Sequence, residues 1–100
     1  MKKPVTDEKV RLLAREAIPS LVKVMGEMAS NPATKPQSRL KAIELLLRVT
    51  ATDHPASAEA RSHVLRAVPF LKEVIKSRSS VRIISRATRL AHRIADLSQD

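Results

Sequence analysis

Cysteine, tryptophan and tyrosine are absent from this 100-residue chain, and glycine and phenylalanine occur once each. Without cysteine there is no disulfide framework, no thiolate zinc or iron–sulfur centre and no cysteine nucleophile, which fits a reducing compartment. β-Sheets draw on aromatic residues and tight turns on glycine, so one of each argues against a sandwich, a barrel or a glycine-rich nucleotide fold. No apolar run approaches the roughly 20 residues that cross a bilayer, and Met1 to Asp7 is too short and polar for a secretory signal. An intracellular protein, cytoplasmic or nuclear, is the expectation. Acidic residues are also scarce: 10 Asp and Glu face 19 Lys and Arg, for a formal net charge of +9. Such a field favours polyanions, nucleic acid first and acidic proteins next. Attachment to a membrane is disfavoured, because the basic segments lack the Trp and Phe that anchor a helix at an interface.

What remains is aliphatic. The core must come from 11 Leu, 9 Val, 6 Ile, 3 Met and Phe70, supplemented by 13 Ala. This composition predicts an all-α chain of one domain, 1–100, with about six helices. Thr6 reads as the first N-cap, with Asp7 and Glu8 in the first turn. Val10, Leu13, Ala14, Ala17, Ile18, Leu21, Val22 and Met25 follow the spacing of one buried helical face, although Pro19 should break or kink the rod. A second helix is expected from Ile18 to Ala29. Thr34 and Gln37 have capping-box spacing and would start a third near Lys35, running to Ala51. Asp53, His54 and Pro55 read as loop. A fourth helix from Ala56 to Ala67, a fifth to Lys76 and a sixth under a Ser80 cap to Leu97 complete the chain, with Gln99 and Asp100 frayed.

An internal repeat organises these elements. Residues 17–25, AIPSLVKVM, match residues 67–75, AVPFLKEVI, at an offset of 50. The match resumes at an offset of 45, where Lys41, Ala42, Leu45, Arg48 and Val49 align with Arg86, Ala87, Leu90, Arg93 and Ile94. The predicted unit is three helices used twice, at about 6–52 and 56–97. The pattern Ala-Ile/Val-Pro-x-Leu, an apolar helix, a polar break and a longer Ala- and Leu-sided helix resembles the second and third helices of an armadillo or HEAT-type repeat. That resemblance implies two degenerate repeats, with a compact right-handed bundle as the alternative. Neither third helix carries the Asn or Trp with which armadillo grooves hold an extended peptide, so no peptide-binding residues follow from it. Residues 33–47 also resemble helical stretches of phage packaging accessory proteins of the small-terminase type. Two solenoid units leave open ends, so pairing of two copies is expected.

The strongest functional signal is local. No acidic residue lies between Glu73 and Asp96, whereas Lys76, Arg78, Arg82, Arg86, Arg89 and Arg93 supply six positive charges. On a helix, Arg82, Arg86, Arg89 and Arg93 fall within an arc of roughly 60° over about 16 Å. Ile83, Ile84, Ala87, Leu90, Ala91 and Ile94 take the neighbouring arc, so burying them points the guanidinium row at solvent. Four like charges at this spacing repel, and arginine's planar fork suits phosphate. The row is therefore expected to bind duplex DNA or RNA, helped by Lys76 and Arg78, mainly through phosphates. Single strands fit less well, because Phe70 is the sole stacking platform. A helix–turn–helix across the Ser77–Ser80 break remains open. Lys2, Lys3, Lys9, Arg11 and Arg15 provide a second basic surface, for which Lys41 and Arg48 are further candidates. The alternative is an armadillo/HEAT-like adaptor or inhibitor that docks an acidic protein on the same arginines.

Chemistry is not expected. His54, His63 and His92 have no metal-ligand spacing, Gly26 stands alone without a phosphate loop, and Ser77, Ser79 and Ser80 read as turn and cap residues without a base. Met25 and Met28 read as core or interface filler. No enzyme activity, metal or cofactor is predicted.

Overall fold

The computed structural model describes residues 7–97, and every regular element among them is an α-helix. In chain order these are α1 (Asp7–Ser30), α2 (Pro36–Thr50), α3 (Ser57–Arg66), α4 (Val68–Lys76) and α5 (Val81–Leu97). Five helices stand where about six were expected, because the first two form one rod that runs through Pro19. The predicted Thr6 cap, Lys2, Lys3 and the predicted fraying at Gln99 and Asp100 lie outside the described residues. No helix among the described residues is long and apolar enough to cross a membrane.

The continuity of α1 has a local cause. Proline lacks the N–H that would bond the carbonyl four residues earlier, here that of Arg15, and a mid-helix proline costs about 3 kcal/mol. His54 takes over that carbonyl, with Nε2 at 3.1 Å from Arg15 O. The backbone N–H of Ala56 donates to His54 Nδ1 at 2.9 Å. Nδ1 is therefore the acceptor, and Nε2 carries the proton given to Arg15. His54 lies in the loop between α2 and α3, as predicted, and is buried there, at 8% exposure. It ties the middle of α1 to the α2–α3 connection.

The first half of α1 departs most from expectation. Every residue from Asp7 to Ala17 is exposed. Of the predicted buried face, Val10, Leu13, Ala14, Ala17 and Leu21 are exposed, Ile18 and Met25 are half-buried, and Val22 alone is buried. The helices that cover α1 are α2 and α3, and they bury only Val22, Gly26 and Ala29 in its second half. At Gly26 a Cβ would come within 2.5 Å of the His63 ring, so the glycine is what admits α3 at this distance. The protruding half-helix contributes to an elongated outline of 54 × 34 × 21 Å with a radius of gyration of 15.5 Å. A compact domain of this length would have about 13 Å.

α2 is the central element and packs against α1, α3 and α5. Leu40, Ala42, Ile43, Leu46 and Leu47 are buried along it, an arc wide enough for three neighbours. Its start is set by Pro36, whose fixed φ suits the first turn and whose missing N–H costs nothing there. The predicted Thr34–Gln37 capping box is not used: the cap position is Lys35, with no side-chain cap bond. Asn31 shapes the loop instead, accepting the Ala33 N–H on Oδ1 at 2.9 Å and the Thr34 N–H on its carbonyl at 3.0 Å. Arg39 donates to Ala29 O at 3.0 Å, at the carbonyl end of α1, and its guanidinium lies 3.7 Å from the Phe70 ring centroid. Burial pulls the Arg39 pKa below its usual value, and the Glu73 charge opposes the shift.

One residue, Ala67, separates α3 from α4, and Pro69 sits in the first turn of α4. Ser80 caps α5 as predicted, accepting the Ile83 N–H on Oγ at 3.3 Å. Ala87, Leu90 and Ile94 are buried, and Ile83, Ile84 and Ala91 are half-buried. The Arg61 guanidinium bonds the Leu97 carbonyl and secures the far end of α5 to α3.

The His54 bridge makes a specific prediction. His54→Ala should destabilise the fold by about 1–3 kcal/mol, because it orphans buried polar groups. Removing Pro19 returns an in-helix donor to Arg15, so Pro19→Ala should recover part of that loss. Denaturant melts of the two single variants and the double variant measure the coupling, and purely additive effects contradict the bridge.

Candidate nucleic-acid interface

The burial of Ala87, Leu90 and Ile94 fixes the rotation of α5. With that side against the core, Arg82, Arg89 and Arg93 are exposed and Arg86 is half-buried. Arg86 donates to Glu44 Oε2 of α2 at 2.7 Å, which corrects the expectation that all four arginines face solvent without a counter-charge. The ion pairs among the described residues leave Arg82, Arg89 and Arg93 without a carboxylate.

Glu44 is shared. Lys41 Nζ lies 4.0 Å and an Arg48 guanidinium nitrogen 3.5 Å from its oxygens, one turn away on either side along α2. Gln37, Lys41, Glu44 and Arg48 occupy one side of α2 by helical spacing, and the Glu44–Arg86 contact sets that side against the α5 row. Glu44, Arg86, Arg89, Leu90 and Arg93 line a depression of about 150 Å³. Lys41 and Arg48, grouped by sequence with the N-terminal cations, therefore join the α5 row. Five cations, Lys41, Arg48, Arg86, Arg89 and Arg93, surround one carboxylate. Lys9, Arg11 and Arg15 lie apart on the exposed half of α1, where Arg15 meets Asp53 at 3.4 Å. Lys76 and Arg78 are exposed at the end of α4 and in the break before α5.

The Arg86 hydrogen bond holds the Glu44 carboxyl below its ordinary pKa; partial burial works against this, and the charges of Lys41, Arg86 and Arg48 add to it. Glu44 thus stays ionised at neutral pH and locally offsets a strongly positive face. The residue was not singled out as functional from sequence, because its main partner lies 42 positions away. A signal was available: the repeat offset of 45 aligns residues 37, 41, 44 and 48 with the four arginines, which hinted that the two faces are equivalent.

Among the described residues no cluster of three or more His, Cys, Asp or Glu could hold a metal ion. No protein-family model, curated protein or solved structure matches the chain.

The lowered Glu44 pKa gives a pH dependence of known sign. A carboxyl that binds its proton less readily when folded stabilises the protein fully above its unfolded value, near 4.5. The contribution disappears as pH falls through the lower folded value. Glu44→Gln should therefore lower stability at neutral pH by about 1 kcal/mol, a partly exposed pair, and flatten the acid limb of a stability–pH curve. Identical curves for the two proteins contradict the assignment.

Proposed function

We propose that this chain is a non-catalytic nucleic-acid-binding protein that contacts duplex phosphates with Arg82, Arg86, Arg89 and Arg93 of α5, joined by Lys41 and Arg48 of α2. The observation that carries the proposal is the cationic face around Glu44, with three of its arginines exposed and free of carboxylates. Like charges so arranged destabilise the isolated chain slightly, and a polyanion relieves them. Duplex DNA presents one charge per ~1.7 Å of axis, so a row of about 16 Å lies along about nine phosphate charges, more than enough to occupy each of its arginines. Phe70 is buried beneath Arg39, so no aromatic platform favours single strands. Glu44 acts as an internal competitor: a phosphate that reaches Arg86 must displace or share it.

The two-repeat reading draws support from α2 and α5, which hold corresponding third-helix positions and pack side by side. On that reading the first two helices of the first unit are fused as α1, and the second unit keeps them apart as α3 and α4. An armadillo/HEAT-like adaptor that docks an acidic protein would use the same cationic face, and a titration with duplex DNA separates the two readings. If Arg82, Arg89 and Arg93 each neutralise a phosphate, the log–log slope of affinity against salt should be about −2.7, about −3.6 if Arg86 also engages, and about −5.4 with Lys41 and Arg48 as well. Arg89→Glu with Arg93→Glu should abolish binding. Glu44→Gln should tighten binding and steepen the slope by releasing Arg86. A flat slope, or a double charge reversal that binds as well as the parent, overturns the proposal.

A further inference from the structure

The charged face leaves unexplained the feature that most departs from expectation, the apolar side of α1 that nothing among the described residues covers. Val10, Ala14, Ala17, Leu21 and Val24 recur at alternating steps of four and three, the heptad spacing of a helix that packs along another helix. Leu13 flanks them. Val10, Leu13, Leu21 and Val24 are each about half exposed, at 49%, 57%, 50% and 48%. By helical geometry these six positions fall within an arc of about 100° that contains no charged residue. Beside the stripe, Leu21, Met25, Leu45 and Val49 border an apolar groove of about 200 Å³ between α1 and α2.

We propose that this stripe pairs with the same stripe of a second copy of the chain, antiparallel about a two-fold axis at Ala17. The residue sizes favour a second copy over an unrelated helix. Around Ala17 the stripe is symmetric: Leu13 and Leu21 lie four positions to either side, and Val10 and Val24 lie seven. Reversing one helix onto the other places valine opposite valine and leucine opposite leucine. Alanines meet at the centre, where small residues let two backbones approach. Pairing this way also avoids a collision, because the body of each copy buries residues only in the second half of its own α1, and the loop contacts at Arg15 lie about 160° around the helix from Ala17. In antiparallel order the bare half of one α1 lies along the covered half of the other, next to the apolar groove. A parallel pair would place both bodies at the same end. The interface is isologous, so the same patch serves both copies and closes the assembly at two. It removes eight half-exposed branched side chains from water.

This inference does not depend on the nucleic-acid reading, and salt separates them. Two chains of net charge +9 repel, so screening should strengthen the pairing while weakening phosphate binding. Sedimentation of the full chain from about 1 µM to about 1 mM should show the mass rise from 11.1 kDa towards twice that value, with the midpoint falling as salt increases. Leu13→Glu with Leu21→Glu should keep the sample monomeric with unchanged helical circular dichroism. The absence of native cysteine allows a second readout. Ala17→Cys should crosslink readily between copies under mild oxidation. Leu12→Cys, exposed but about 140° around the helix, should not. A mixture of Val10→Cys and Val24→Cys chains should form the mixed disulfide in preference to either like pair. A monomer across the concentration range, equal crosslinking at 12 and 17, or like pairs from Val10→Cys overturns the proposal. Monomeric parent chains that capture an acidic or apolar helix instead would assign the stripe to another partner and overturn it equally.

Discussion

The contact of α5 with the core decides what this molecule presents to its surroundings. Ala87, Leu90 and Ile94 are buried, and their side of the helix cannot turn to solvent without exposing them. The arginines on the adjoining arc have no other place to go. Glu44 reinforces this choice from α2, taking Arg86 in a 2.7 Å hydrogen bond and sharing its charge with Lys41 and Arg48. Apolar packing sets the rotation, and the carboxylate sets the spacing between the two helices' charged rows. The result is a cationic surface that Glu44 partly compensates.

The same division of labour governs α1. Its second half is held by ordinary burial at Val22, Gly26 and Ala29, while its passage through Pro19 depends on one imidazole. Ala56 fixes the tautomer of His54, and His54 supplies the donor that the proline cannot. The loop between α2 and α3 is thus fastened to the long helix at the point where that helix is intrinsically weakest. Beyond this point the rod extends away from the other helices with an apolar side uncovered, which accounts for the elongated outline.

Much of this was legible in the sequence, for reasons that can be named. Aliphatic composition with a single glycine and a single phenylalanine indicated an all-helical chain. Local signals placed α2 to α5 within a residue or two, because Pro36, Pro69 and Ser80 act on the turn they occupy. The outward aim of Arg82, Arg89 and Arg93 followed from periodicity alone. What could not be read were the consequences of contacts distant in sequence. Pro19 carries a breaking signal that is answered 35 positions later by His54. Val10, Leu13 and Ala17 carry a burial signal that nothing among the described residues answers. In sequence, Glu44 stands among Gln37, Lys41 and Arg48 with nothing to mark it, and only α5 beside it brings the arginine that it pairs with.

The central claim is that the α2–α5 face receives a polyanion. Backbone amide shifts of the full chain, followed by NMR during titration with a short duplex DNA of mixed sequence, test it most directly. The account predicts that the largest changes cluster at residues 82–93 and 41–48, with small changes along the apolar side of α1. Shifts confined to α1 or the Lys76–Ser80 break, or no shifts at all at low salt, would contradict it.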